Sequence, residues 1–112
     1  MLLLLLSLAA CDASRAALRG GCGKVEITPP LGITLIGSKG LPSDAVRDSL
    51  FAKAMVLSDG TTTLAIVSTD LLYTPLEDIT NPVRALVSAK TGIPAKNIMV
   101  CATHTHSGPE VF

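Results

Sequence analysis

Tryptophan is absent and aromatic residues make up only 3% of the chain, which leaves no platform for stacking nucleic-acid bases. An excess of one charge is missing too: nine basic residues balance nine acidic ones. A zero net charge leaves no electrostatic footprint for nucleic acid, and no basic cluster suits an anionic membrane surface. The unbroken leucine run Leu2–Leu6 falls far short of the roughly 20 apolar residues that span a bilayer core. There is no Cys-x-x-Cys pair, so a thiolate zinc site has no support. No internal repeat is present, and no histidine precedes His104.

What is present describes a globular chain. Apolar residues make up 48% and charged residues 16% of 112 residues, enough for one small domain with a core of Leu, Ile, Val and Ala. The leucine run passes into Ser7-Leu8-Ala9-Ala10-Cys11, which reads as a signal peptide over 1–10. Its ending resembles the bacterial lipobox, in which small residues precede a cysteine that is lipidated and becomes the new N-terminus. Export and lipidation at Cys11 are therefore expected, with membrane contact through that lipid anchor and a periplasmic, cell-surface or secreted location. The alternative is a plain cleavable signal, since no Lys or Arg precedes the leucines. Residues 11–19 lack strand alternation and read as a tether. Of the three cysteines, Cys22 and Cys101 remain either as one disulfide or, more simply, as free thiols, Cys101 lying in an apolar strand run.

The glycine cluster Gly20-Gly21-Cys22-Gly23 punctuates the start of folded chain, and Lys24–Thr28 alternates as a short strand stopped by Pro29-Pro30. Leu31 to Asp48 reads as a long loop. Phe51–Leu57 and Thr63–Thr69 flank an Asp59-Gly60 turn and form a hairpin. The second arm is apolar on both faces, as expected of a strand buried between layers. Thr74-Pro75-Leu76-Glu77 has the form of a helix start with a capping box, and Leu76, Ile79, Val83, Leu86 and Val87 recur at helical spacing. Pro82 inside that segment predicts a kink or two short pieces. Gly92 before Ile93-Pro94 gives the stop, and Asn97–Ala102 returns to a strand. The fold class is α/β, a mixed sheet in which the second hairpin arm reaches the last strand through a βαβ crossover.

Both histidines of the chain follow that last strand, in Thr103-His104-Thr105-His106-Ser107-Gly108-Pro109. Ligands in open α/β sheets bind beyond the carboxyl ends of strands, and Asp70 ends the neighbouring strand on the same edge. On extended chain, residues two apart project to one face, roughly 6.5–7 Å apart at the backbone. Two such imidazoles can share a metal, or one can bind it while the other works beside it. The plain structural reading is a polar pair ending a strand.

The run Gly23-Lys24-Val25-Glu26-Ile27-Thr28-Pro29-Pro30, the strand Asp48–Ala54, Ser68-Thr69-Asp70-Leu71, Thr91–Pro94, Asn97-Ile98 and Ala102–Pro109 together resemble the neutral/alkaline ceramidases in order and spacing. Glu26 stands where that family commonly has Asp. The resemblance covers about residues 18 to 111 and implies a zinc-dependent amidase that cleaves the N-acyl bond of ceramide-like lipids to a fatty acid and a sphingoid base. It implies Zn²⁺ as cofactor, His104 as a metal ligand and His106 as a catalytic residue beside the metal, with a ceramide-like lipid amide as partner. The family's remaining ligands, a second His, a Glu and a Tyr, come from later sequence. Residues 20–112 are therefore expected to be the incomplete N-terminal portion of a larger catalytic domain, inactive alone. Two other readings are a lipid-anchored surface module without catalysis and a metallophosphoesterase-like hydrolase. The latter also ends in His-x-His, but its earlier histidine motifs are missing here.

Overall fold

The computed structural model describes residues 17–111. The expected signal over 1–10, Cys11 and most of the expected tether lie outside the described residues. One sheet holds four strands in the order β1–β2–β3–β4: Arg19–Glu26 (β1), Phe51–Ser58 (β2), Thr63–Thr69 (β3) and Ile98–Ala102 (β4). β2 pairs antiparallel with both β1 and β3. β3 and β4 run parallel, with Ala65 opposite Ile98 and Thr69 opposite Ala102. The helix α1, Asn81–Thr91, lies in the crossover between them. This is the mixed α/β sheet with a βαβ crossover that the sequence predicts.

The boundaries of β1 differ from expectation. It starts at Arg19, takes in all of the Gly20–Gly23 cluster and ends at Glu26. The eight residues of β2 offer a full backbone edge, and Arg19↔Ser58 through Glu26↔Phe51 fill it. Ladder bonds use no side chain, so pairing overrides the weak strand preference of glycine. Asn97 also differs. It closes a 3₁₀ turn, Ala95–Asn97, and its Nδ2 donates to the Thr63 carbonyl at 3.1 Å.

The helical segment breaks in two, as Pro82 demands, but without the expected capping box. Leu76–Thr80 forms one π-helical turn, in which the N–H groups of Ile79 and Thr80 both donate to Pro75 O, at 3.0 and 2.9 Å. No side chain caps it; Glu77 instead accepts from Asn81 Nδ2 at 3.4 Å. The helix proper then restarts at Asn81 with Pro82 in its first turn, where a missing N–H costs nothing. Gly92 ends it at φ 75°, its N–H donating to Ser88 O at 2.9 Å.

The restart also shifts the buried face. A π turn inserts one residue relative to α spacing, so Leu76 and Leu86, expected inside, stand 58% and 57% exposed. The half-buried row of α1 is Val83, Arg84, Val87 and Ser88. Arg84 is tolerated there because its Nε donates to the Ile98 carbonyl at 2.8 Å. The core comprises Ala65, Ile93 and Ile98, with Val56, Val87 and Val100 packed against them. β3 is not sandwiched as expected: among the described residues the helix covers one face only, and Leu64 on the other face is 46% exposed. Cys22 in β1 and Cys101 in β4 are free thiols. Two strands separate them, roughly 14 Å at ordinary strand spacing, about twice the reach of a disulfide.

Candidate functional site

Parallel pairing of β3 and β4 brings their carboxyl ends side by side, which puts Asp70 and the histidine segment on one edge of the sheet. The ladder continues past the strands. Thr103 N–H donates to Thr69 O at 2.9 Å and Thr105 N–H to Leu71 O at 3.3 Å. Between these two bonds the backbone of His104 takes φ 63°, a left-handed conformation uncommon outside glycine. The pair is therefore not presented by extended chain, as the sequence suggested. A left-handed kink at His104 sets the geometry instead, bringing the ring centroids of His104 and His106 to 5.0 Å with the planes at 88°. Both residues are exposed.

One ring nitrogen is already committed. His104 Nδ1 lies 2.8 Å from the carbonyl of Leu72, and because a carbonyl only accepts, Nδ1 carries the proton. When the ring is neutral, the lone pair is on Nε2. That is the arrangement of a metal-binding histidine, whose other N–H is held by a carbonyl or carboxylate. Nothing in the local sequence marks Leu72 for this role, since any residue carries the carbonyl.

Asp70 shares the edge, and its carboxylate is engaged by β2. Its Oδ2 accepts the Phe51 N–H at 2.9 Å and pairs with Lys53 Nζ at 3.7 Å. It ties the end of β3 to the start of β2. Glu26 turns to its own strand end as well. The Thr28 hydroxyl donates to it at 2.7 Å, and that bond, with one from Ser49, holds its carboxyl below the usual range.

The long loop between β1 and β2 closes over the histidine segment. Ile36 N–H donates to Gly108 O at 3.0 Å, Glu110 N–H to Thr34 O at 3.1 Å, and Leu35 bridges Pro109. Gly108 is buried against Asp70 O, Thr105 and Leu50. Between this loop and residues 105–109 lies an open cleft of about 420 Å³, lined by Thr28, Leu35, Val46, Leu50, Thr105 and Pro109 among others. Neither histidine lines it.

As a donor set for Zn²⁺ the pair is right in kind and short in number. Imidazole suits zinc, but a catalytic site takes about three protein ligands. Among the described residues no three His, Cys, Asp or Glu side chains converge. His104 through Nε2, with His106 beside it, would supply part of such a set.

Solved structures resemble the chain. A neutral ceramidase from Pseudomonas aeruginosa matches at 30% identity and a TM-score of 0.73, over 83% of this chain and 16% of that one. A ceramidase complexed with C2 matches at 31% identity and a TM-score of 0.73, over 83% of this chain and 15% of that one. The chain resembles part of a neutral ceramidase. It spans about a sixth of the length of these solved ceramidases. No family model matches the sequence, and no curated protein does.

Proposed function

We propose that this chain carries the histidine-bearing part of a zinc-dependent amide hydrolase acting on ceramide-like lipids. The observation that carries the reading is His104 with Nδ1 anchored on Leu72 O and Nε2 free, beside a second imidazole. The likeness to solved neutral ceramidases supports it, and so does the resemblance of Ala102–Pro109 to that family's histidine motif.

In this reading His104 holds the metal through Nε2. Bound zinc supplies Lewis acidity toward an amide carbonyl. His106, exposed and 5.0 Å from the first ring, stands where it can donate to the developing oxyanion or pass a proton to the leaving amine. The Leu72 carbonyl fixes the tautomer and orientation of His104. Export and lipidation at Cys11 belong to the same proposal, since an anchored enzyme would meet its lipid substrate at a membrane. Mass spectrometry of membrane-associated protein should show a lipidated Cys11, and an intact Met1 in cytosolic protein would refute export.

The metal reading is tested in a protein long enough to hold the remaining ligands, by elemental analysis alongside hydrolysis of an N-acyl sphingoid substrate. His104→Ala should lose both zinc and turnover. His106→Ala should keep most of its zinc while its rate falls on the order of 10²–10⁴-fold, the usual size of a general acid–base contribution. If His104→Ala retains metal and rate, the assignment fails. If both variants lose zinc alike, both histidines are ligands.

A further inference from the structure

The β1–β2 loop meets the histidine segment at a contact that only glycine permits. Gly37 has φ 86°, and a Cβ built on it would lie 2.7 Å from the His106 carbonyl oxygen and 3.7 Å from His106 Cβ. An ordinary carbon–oxygen contact is about 3.3 Å or longer. Neither a backbone oxygen nor a Cβ can escape by changing rotamer, so a side chain at 37 must move one backbone or the other. Retreat is restricted on the histidine side, where the backbone bonds of Ile36 to Gly108 and of Glu110 to Thr34 fasten the two segments together. Gly40, in the same loop, supplies a natural comparison: its φ is 80°, and a Cβ there would meet nothing within 4 Å. The two glycines share a backbone conformation and differ in what stands beside them.

We infer that Gly37 is a positioning residue for His106. Its bare Cα lets the loop serve as a backbone template that sets where the second imidazole stands relative to the first. The consequence for catalysis rests on the proposed role of His106, but the geometric claim does not. His104 is held separately, by Leu72, so a disturbance arriving through Gly37 should reach His106 and spare His104.

Proton NMR of the metal-free 112-residue chain reads this directly. In a ring pair at 88°, protons at the edge of one imidazole lie over the face of the other and are shifted upfield. Gly37→Ala should abolish that shift and the cross-peaks between the rings, while the His104 Nδ1–H bond to Leu72 persists. Gly40→Ala pays the same conformational cost, about 1 kcal/mol for a non-glycine residue at positive φ, and should leave the ring signals in place. The inference is overturned if Gly37→Ala keeps the wild-type ring shifts, or if Gly40→Ala displaces them equally. Should Gly37→Ala fail to fold, the wild-type chain decides: a cross-peak between Gly37 Hα and His106 Hβ supports the contact, and its absence overturns it. The zinc content of the longer protein reports on the metal reading independently, so either can fail without the other.

Discussion

The two ends of this sheet are built by different means. At the hairpin end the turn residues 58–62 are held mainly by bonds among themselves. Asp59 Oδ1 accepts the N–H groups of Thr61 and Thr62 at 2.9 and 2.7 Å, Ser58 Oγ accepts from Gly60, and Asp59 N–H donates to Thr62 O. At the histidine end the bonds span 19 residues from Phe51 to Asp70, 22 from Leu50 to Thr28 and 32 from His104 to Leu72. The hairpin turn can form as soon as its few residues meet. The histidine end exists only once three loops have been brought together, each at a loop-closure cost that the core must cover. The candidate site thus depends on the whole fold, and the turn hardly at all.

That contrast can be broken most forcefully through the core that joins the two ends. Ile98 is 1% exposed, and Ile98→Ala should cost about 2–5 kcal/mol. Chemical denaturation followed at both ends should show a single transition shifted together. Separate transitions would mean that the ends do not share one core. A smaller and selective effect is expected at Asp70, whose side chain is 19% exposed and which bonds Phe51 N–H. Asp70→Ala should cost about 1–3 kcal/mol by leaving that donor without its partner. Hydrogen exchange should accelerate at Phe51 and Thr103 while Thr61 and Thr62 keep their protection. Equal acceleration at both ends would erase the distinction.

The smallest effect belongs to the turn. The amides of Thr62 and Thr61 hold the Asp59 carboxyl below its usual value of 3.8. A depressed carboxylate contributes stability above the unfolded value and loses it as pH falls through the folded one. Asp59→Ala should therefore be slightly less stable than the parent at neutral pH, with the gap closing in acid below about pH 4. A gap that widens in acid would show the sign to be wrong.

How much was legible follows the same division. Asp59-Gly60 between two apolar runs announced the hairpin, Gly92 announced the helix stop, and the order strand–helix–strand implied the parallel crossover. Thr74 and Glu77 misled, because a capping box is a local preference and Pro82 imposed a stronger one by forcing the helix to restart at Asn81. That restart turned Leu76 and Leu86 outward and Arg84 inward, a rotation no periodicity count from Thr74 could contain. The histidine motif was visible as a string, yet the extended-chain argument for its geometry failed at the left-handed backbone of His104.

By itself, then, the sequence determined the hairpin, the crossover and the placing of two imidazoles just beyond the last strand. Each rests on side-chain chemistry acting over a few residues: a turn-forming Asp-Gly, a proline that breaks a helix, imidazoles at the end of an apolar strand. Tertiary structure alone decided the anchoring of the His104 ring on Leu72, the approach of Gly37 to His106 and the separation of Cys22 from Cys101. Those depend on backbone atoms of distant segments, the Leu72 carbonyl and the His106 carbonyl above all. Every residue carries such a carbonyl, so no side-chain pattern marks the ones that matter.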